Sequence, residues 1–416
     1  MELSASIHRV WLAVGASFSA AILIACGGDA VSPCSDTGVV RITPGDTAMI
    51  KGSSFVASAD RFACGDHLTP DHLSWRSLDP AIAEVNAQTG QVTGKTVGST
   101  SIVASEPRGD LGVVRVFVYN PTDPTDVEAR AELRYYVEQV IRAPSRKYAL
   151  HDDAGHTMDG LKVIASAAAG GFIGVYQTFR NGTFDAHLAT SSNLLDWQWR
   201  VTLATQAAEP TIKAAGDGYV VAMETDGDNH LRFTYYDSWN ALLNARASKT
   251  FDAARSLSPC AEGTPNIYDG DVSHVDVGFH YWSECNVGRQ ARGTTDWTTW
   301  SATKEVDMDA AVTSYGVAGV GDRDAIVFRG YRFNVIEGEG VRNDYSSWRI
   351  FLYDYQTGSA DRLNIVTDEG STSFGNPTIE QIQLGGHPAL VMSLFVFLDG
   401  GRGKEPGSLI YYRTYP

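Results

Sequence analysis

Glu209-Pro210-Thr211-Ile212 is the clearest copy of a short phrase that occurs five times in the sequence. Each copy sets a polar residue, often an acid, before a small residue or proline and a β-branched run. The copies begin at Met158, Glu209, Thr264, Arg323 and Asn376. Their small residues are Gly160, Pro210, Pro265, Ala325 and Pro377, which lie 50 to 60 residues apart. A period of this length, made of strands and turns without helical periodicity, predicts an all-β fold with a five-bladed β-propeller.

Alternating apolar and polar residues follow the copies and predict the strands of the blades. The clearest segments are 172–176, 184–190, 218–223, 231–236, 275–282, 295–300, 348–353 and 409–413. Because the innermost strands of a propeller converge on its axis, we expect the polar residues of the phrase to surround one central pocket. Four tryptophans are expected to pack between blades rather than to face a ligand: Trp197, Trp199, Trp297 and Trp300.

A second module is predicted at residues 37–120. Its most specific stretch contains Ser74-Trp75-Arg76-Ser77 and Asp79-Pro80-Ala81-Ile82-Ala83, followed by Thr89-Gly90 and Thr93-Gly94. Trp75 is expected in a sandwich core, and the Asp-Pro and Thr-Gly pairs mark turns between strands. Over about eighty residues the module resembles the group 2 bacterial immunoglobulin-like domain. The resemblance implies an immunoglobulin-like β-sandwich that acts as a spacer or adhesive module.

Residues 121–146 are predicted to join the two modules. They begin with a linker that contains two prolines and continue with a helix at 127–141. Leu133, Val137 and Ile141 fall on one face of that helix, which could lie against the propeller as a bracket. The propeller itself is placed at residues 147–416.

The N-terminus has the features of an export signal at residues 1–25. Arg9 supplies a positive charge, and an apolar stretch at 10–24 is too short for a comfortable membrane span. Leu23-Ile24-Ala25-Cys26 resembles the lipobox of bacterial lipoproteins, which implies lipidation of Cys26 and a tether at 26–36. A plain signal peptide with a chance cysteine is the alternative. We expect an exported, membrane-anchored protein at the periplasmic face or the cell surface.

Four further cysteines form two local pairs in the sequence. In an oxidising compartment we expect the disulfides Cys34–Cys64 and Cys260–Cys285. Closely spaced ligands such as Cys-x-x-Cys are missing from the sequence, so no metal site is predicted. No cofactor is predicted either, because the sequence contains no phosphate-binding loop.

The net charge of the chain is −16. Binding of nucleic acid or of an anionic membrane face needs clustered Lys and Arg, so neither is an expected partner. Contact with a membrane is expected only through the lipid anchor, and a glycan or oligosaccharide is the expected ligand. The oligomeric state is left open.

Three segments of the second half resemble motifs of one enzyme group. They are 189–197, with Asn193 in the place of an Asp; 260–268, which contains Glu262-Gly263-Thr264-Pro265 with one residue inserted; and Asp322-Arg323-Asp324-Ala325, with alanine for proline. They resemble the five-bladed furanosidase propellers among the glycoside hydrolases, of which family 43 is the largest. The resemblance implies cleavage of a furanose-containing glycan of the arabinan, xylan or fructan type.

Glycoside cleavage needs one carboxylic acid to protonate the leaving oxygen and a second carboxylate on the other face of the sugar. We assign Glu262 as the general acid and Asp159 as the base, with Asp152 or Asp153 as alternatives for the base. Glu209 is expected to tune or orient the pair. Arg323, Asp324 and Asn376 are expected to bind the substrate, with His151, His156 and Tyr176 in the pocket wall.

Two other functions fit the same sequence. Acids before proline at strand starts often only form turns, which fits a non-catalytic carbohydrate-binding or adhesive surface lipoprotein. A purely structural surface protein is the third possibility.

Overall fold

A computed structural model describes residues 39–63, 66–68, 72–107, 109–225 and 229–415. The N-terminal module contains ten short strands, and its core includes Trp75, Val92, Ile102 and Val116. The strands are β1 (Val39–Thr43), β2 (Thr47–Ile50), β3 (Ser54–Val56), β4 (Ser58–Ala63), β5 (Asp66–Leu68), β6 (Ser74–Ser77), β7 (Ala83–Val85), β8 (Gln91–Gly94), β9 (Gly98–Glu106) and β10 (Gly109–Tyr119). They form sheets in the orders β1-β4-β5, β2-β10-β9-β6 and β3-β8-β7. The assignment to the immunoglobulin-like class stays a prediction.

The predicted helix is present as α1 (Asp126–Glu138). Thr125 caps its N-terminus: the Thr125 hydroxyl accepts from the Glu128 backbone N–H, and the Glu128 carboxylate accepts from the Thr125 N–H. Leu133 and Val137 are fully buried, as their spacing predicts. Ile141 lies beyond the helix in a 3-10 turn, Val140–Arg142, and is 41% exposed.

The remaining strands form five sheets of four strands each, which are the blades of the propeller. After β11 (Ser145–Lys147), the first blade is β12 (Asp159–Ser166), β13 (Gly171–Arg180), β14 (Thr183–Ser191) and β15 (Gln198–Thr205). The second is β16 (Ala207–Ala215), β17 (Gly218–Thr225), β18 (His230–Tyr236) and, after α2 (Trp239–Leu243), β19 (Lys249–Ala253). The third is β20 (Glu262–Gly270), β21 (Val275–Ser283), β22 (Val287–Thr295) and β23 (Trp300–Lys304). After α3 (Val306–Thr313), the fourth is β24 (Gly319–Phe328), β25 (Tyr331–Glu339), β26 (Trp348–Asp354) and β27 (Ser359–Arg362), and the fifth contains β28 (Phe374–Leu384), β29 (His387–Val396) and β30 (Gly407–Thr414).

The ring is closed by the N-terminal end of the propeller. Strand β11 precedes the first blade in sequence but pairs with β30 as the outermost strand of the fifth blade. This pairing covers the edge that β30 would otherwise expose and ties the last blade to the first.

Helix α1 lies against the fourth and fifth blades, as the bracket hypothesis requires. Its apolar face shares a core with Phe328, Phe333 and Leu352 of the fourth blade and with Tyr411 of the fifth. The Tyr411 hydroxyl donates to the Val137 carbonyl at 2.6 Å. The helix therefore adds to the packing between these two blades.

Seven of the eight segments predicted as strands fall within observed strands, but 295–300 spans the turn between β22 and β23. Trp197 and Trp297 are buried in cores of the propeller, and Trp300 packs against one of them, as predicted. Trp199 differs, because it is 38% exposed.

One of the two predicted disulfides lies within the described residues, and Cys260–Cys285 is formed. The predicted Cys34–Cys64 pair and the predicted lipidation site Cys26 lie outside those residues. Among the residues that the structure describes, no helix has the length and apolar character needed to cross a membrane.

Candidate active site

A β-bulge lies at the start of each innermost strand, where two residues interrupt the ladder to the second strand, and in four blades the recurring phrase forms it. The bulges are Gly160-Leu161, Glu209-Pro210, Thr264-Pro265, Gly321-Asp322 and Asn376-Pro377. Proline fits the second position because a bulged residue has no ladder partner to which an N–H would donate. The first position is left-handed in four blades, with φ of 59° at Gly160, 45° at Glu209, 49° at Thr264 and 47° at Asn376.

The fourth copy of the phrase was predicted three residues too late. Ala325, its predicted anchor, pairs with Asn334 in the regular part of the ladder, and the bulge lies at Gly321-Asp322. Arg323 and Asp324 therefore follow the bulge instead of preceding it.

The bulges surround a narrow axial pocket of about 20 Å³. Its lining comes from all five innermost strands: Gly160, Lys162, Glu209, Pro210, Thr211, Thr264, Pro265, Asn266, Arg323, Asp324, Asn376, Pro377 and Thr378. The convergence predicted from the repeat thus brings Glu209, Asn376, Arg323 and Asp324 to one place.

Asp159 and Glu209 form a carboxylate pair beside this pocket. Asn376 Nδ2 donates to Asp159 Oδ1 at 2.8 Å and to Glu209 Oε1 at 3.3 Å. Gln177 Nε2 donates to Asp159 Oδ2 at 3.1 Å and also to Glu209 Oε1. The Glu209 backbone N–H donates to Gln177 Oε1 at 3.0 Å, which fixes the orientation of that amide. Two amide side chains therefore bridge the two acids.

Gly160 makes room for the pair. A Cβ atom at Gly160 would lie 2.6 Å from Glu209 Oε2, and the backbone there is left-handed. Glycine is the residue that meets both requirements without strain.

Burial raises the pKa of Asp159 to about 6, although the hydrogen bonds from Asn376 and Gln177 oppose the shift. Two neighbouring carboxylates that share donors cannot both ionise freely. Asp159 is therefore protonated in mildly acidic solution and can donate a proton.

An ion pair lies on the axis below the carboxylates. Lys162 Nζ contacts Asp324 Oδ2 at 2.6 Å and Glu380 Oε2 at 2.9 Å, and it donates to the Ile379 carbonyl at 2.9 Å. Burial alone would lower the pKa of Lys162, but the two carboxylates raise it. Burial raises the pKa of Asp324, and Lys162 opposes that shift. Asp324 is thus at the predicted pocket but is already neutralised by Lys162.

Arg323 has partners away from the carboxylate pair. Its guanidinium binds Glu305 and the Ala291 carbonyl and lies 5.5 Å from the ring centroid of Tyr268. It is 3% exposed, so this side chain supports the packing of the third blade against the fourth. Its predicted contact with substrate stays untested.

Glu262 is not brought to the carboxylate pair. Its Oε1 accepts the backbone N–H groups of Ser256 at 2.6 Å, of Ser258 at 3.0 Å and of Leu257. In the third blade, Gly263 holds the position that Asp159 holds in the first, directly before the bulge. Since neighbouring residues of a strand point to opposite faces, Glu262 is turned away from the position that Asp159 takes. Its location does not support the general-acid role predicted for it.

The predicted wall residues form a separate cluster on the first blade. His156 Nδ1 contacts Asp152 Oδ2 at 2.8 Å, and the Tyr176 hydroxyl donates to the same oxygen. The His156 ring stacks on His187 with centroids 4.6 Å apart. Burial, with His156 close by, lowers the pKa of His187 to about 4.

Asp153 and His151, the other predicted residues in the segment before β12, contact backbone groups. The Asp153 carboxylate accepts the Trp199 N–H at 2.7 Å, and His151 Nδ1 lies 2.6 Å from the Ala149 carbonyl. Asp152 and Asp153 therefore have structural partners, which leaves Asp159 as the first-blade acid at the axis.

Sequence reasoning missed Gln177, Lys162 and Glu337. Gln177 lies opposite Asp159 in the ladder, so only the strand register identifies it. Glu337 is 5% exposed, lies opposite the fourth bulge and accepts the Asn376 N–H at 2.6 Å. The other blades place apolar residues at that position, namely Tyr176, Met223, Phe279 and Leu394. The acid at this position was the feature by which the sequence could have identified Glu337.

Within the described ranges, no three His, Cys, Asp or Glu side chains are arranged to hold a metal ion. The polar groups gathered at the axis include two carboxylates bridged by two amide side chains. The fold and the site together define the class of this protein, which is a five-bladed β-propeller with a carboxylate pair beside its axial pocket.

No model of a protein family matches the sequence, and no curated protein matches it. Among solved structures, the chain is similar to a family 43 endo-arabinanase from Bacillus licheniformis, with 13% identity, 64% of this chain and 96% of that chain covered and a TM-score of 0.41. An α-L-arabinofuranosidase from Lactobacillus brevis gives 8% identity, coverage of 61% and 90%, and a TM-score of 0.43. The family 62 α-L-arabinofuranosidase catalytic domain of Coprinopsis cinerea gives 10% identity, coverage of 64% of this chain and 95% of that chain, and a TM-score of 0.40. At these identities, the activity of this chain has to be argued from its own residues.

Proposed function

We propose that this protein is an exported glycoside hydrolase that cleaves a furanose-containing glycan, of the arabinan, xylan or fructan type, at its axial pocket. The observation that carries the proposal is the Asp159–Glu209 carboxylate pair, bridged by Asn376 and Gln177. The choice of a furanose substrate comes from the resemblance of segments 189–197 and 260–268 to furanosidase motifs.

Asp159 is proposed as the proton donor. Because burial raises its pKa to about 6, its carboxyl group is protonated in mildly acidic solution and can protonate the leaving glycosidic oxygen. This assignment reverses the role expected from the sequence, in which Asp159 was the base.

Glu209 is proposed as the second carboxylate, which acts at the anomeric carbon. Asn376 Nδ2 donates to Asp159 Oδ1 at 2.8 Å and to Glu209 Oε1 at 3.3 Å. The distance between these two carboxylate oxygens therefore cannot exceed the sum of the two hydrogen-bond lengths. Carboxyl groups about 5 to 5.5 Å apart belong to retaining glycosidases, whereas inverting enzymes hold them about 6.5 to 9.5 Å apart to leave room for a water. The spacing therefore favours a retaining reaction.

The test uses soluble protein from residue 27 onward, assayed on arabinans, xylans, fructans and aryl furanosides. We expect hydrolysis that falls at least about 100-fold in Asp159→Asn and in Glu209→Gln, because each removes one member of the pair. Asp217→Asn is the matched control, since this exposed acid lies in the turn between β16 and β17. Full activity in both pair variants, in a protein that cleaves one of these substrates, would exclude the proposed site.

Anchoring is part of the proposal. Lipidated Cys26 would hold the protein on a membrane outside the cytoplasm, with the N-terminal module as a spacer between membrane and propeller. Cys26→Ser in the full chain is expected to move the protein from the membrane fraction to the soluble fraction.

A non-catalytic carbohydrate-binding protein is the second candidate. The observation that favours it is the third bulge, where Thr264 stands at the position that Glu209 holds in the second blade. Binding of one of these glycans without any hydrolysis, retained in Asp159→Asn, would establish this alternative over the enzyme.

A further inference from the structure

A second cavity lies farther along the innermost strands than the axial pocket. It has a volume of about 340 Å³, and Lys162 lines both spaces. The Lys162–Asp324 ion pair therefore lies between the carboxylate site and this lower cavity.

The lower cavity is cationic, although the protein carries a net charge of −16. Lys162, Lys213 and Arg332 line it, and Glu380 is the acid among its lining residues. Glu380 is bound to Lys162 at 2.9 Å. Among the residues that the structure describes, the side chains of Lys213 and Arg332 have no ion-pair partner.

Arg332 is held in place without a carboxylate. Its guanidinium carbon lies 4.1 Å from the ring centroid of Tyr268 and 4.4 Å from that of Tyr355. Its Nη2 atom is buried and has no hydrogen-bond partner within the described chain. A guanidinium fixed between two rings with an unused donor is organised in advance for an acceptor group.

We infer that the lower cavity binds an anionic ligand that carries a carboxylate or phosphate group, with Lys213 and Arg332 as its partners. Arg binds both groups through paired N–H donors, and Lys213 supplies a second positive charge from strand β16 of the second blade. Ile212, Ile267 and Ile326 also line the cavity and give it apolar surface, against which the rest of the ligand packs.

Titration calorimetry of the soluble chain tests this inference with three probes: D-galacturonate, inorganic phosphate and uncharged D-galactose. We expect saturable binding of an anion, weakened by salt, and no binding of galactose. Galacturonate without phosphate would identify a carboxylate ligand, and the reverse would identify a phosphate ligand. Lys213→Met and Arg332→Met should each weaken binding at least tenfold, whereas Lys404→Met, an exposed lysine elsewhere, should leave it unchanged.

The two sites can be separated experimentally. Asp159→Asn and Glu209→Gln should leave anion binding intact, because the lower cavity is separated from them by Lys162 and Asp324. Thermal unfolding checks that Lys213→Met is folded. Absence of binding by both anions up to about 10 mM, or equal affinity in folded Lys213→Met and the wild type, would overturn the inference.

Discussion

Glu209, Thr264 and Asn376 carry side chains in the left-handed backbone region, which glycine enters with less strain. Thr264 is the least suited, because β-branching adds crowding there. Strain of this kind persists where the surrounding structure fixes the backbone, and the following proline supports the bulge in all three cases. Side chains at these positions point where the five strands converge, so the strained bulge residue is also the one that can reach the axis.

The protonation of Asp159 predicts a pH-dependent stability. Its pKa is about 6 in the folded chain and 3.8 in its ordinary state. A raised pKa means that the folded state holds the proton more tightly, so this stabilisation is complete below about pH 4 and is lost as the pH rises through 6. We expect the free energy of unfolding of the wild type, relative to Asp159→Asn, to fall by about 2 to 3 kcal/mol between pH 4 and pH 7.

Urea unfolding at pH 4, 5, 6 and 7 measures this difference. Burial also raises the pKa of Asp309 to about 6, but Asp309 is present in both proteins and its effect cancels. A constant difference across this range would show that Asp159 has an ordinary pKa.

The sequence could predict which bulge residues meet but not what binds them. Asp159, Glu209 and Asn376 are within or next to a recurring phrase, and convergence of the repeats was enough to group them. Gln177 comes from a second strand, and its place opposite Asp159 depends on a register that includes the bulge. A shift of one residue would have turned Gln177 to the other face of its blade.

Among the strands and loops, β20 shows how a local motif can mislead. Glu262-Gly263 resembles a general-acid motif, yet the two residues lie just before the bulge, and Glu262 caps the loop that enters the strand. The same loop is tied by Cys260–Cys285 to the turn after β21. In β24, Arg323-Asp324-Ala325 resembled the phrase while the bulge had already passed at Gly321-Asp322. Strand alternation was predictable because it is local, but the position of a bulge depends on pairing with the next strand.

Glu262→Gln is expected to destabilise the third blade. The buried carboxylate accepts three backbone N–H groups at one oxygen, and a neutral amide oxygen accepts them less strongly. We expect a loss of about 1 to 3 kcal/mol in the free energy of unfolding, measured in urea. Activity on any cleaved glycan should remain within a few fold of the wild type at a temperature where the variant is folded. A loss of activity as deep as that of Asp159→Asn, without a loss of stability, would restore Glu262 to the catalytic site.

Across the whole molecule, residues before the first blade complete the propeller. Strand β11 is the outer strand of the fifth blade, and α1 covers the cores of the fourth and fifth blades. Salt bridges add to the packing, with Arg329 Nη2 2.9 Å from Glu132 Oε1 and Arg130 Nε 2.7 Å from Asp361 Oδ2. The linker segment predicted at 121–146 is thus structurally part of the propeller.

The N-terminal module contacts α1 and the 3-10 turn that follows it. Lys51 Nζ lies 3.1 Å from Glu128 Oε1, Arg142 Nη2 lies 2.5 Å from Asp46 Oδ2, and Phe117 stacks on Tyr135 with centroids 4.1 Å apart. Lys51 and Asp46 are both substantially exposed, so these two ion pairs stabilise the contact only weakly.

Two truncations should therefore behave differently. Protein that begins at residue 121 retains α1 and β11, and we expect a folded propeller within about 2 kcal/mol of its stability in the full chain.

Protein that begins at residue 148 loses the buried Leu133, Tyr136 and Val137 together with the closing strand. At roughly 1.5 to 3 kcal/mol for each buried side chain, that loss is comparable with the whole stability of a domain. We expect aggregation or a non-cooperative urea transition, followed by circular dichroism and size-exclusion chromatography. A cooperative transition of unchanged midpoint in the shorter protein would show that the blades close without β11 and α1.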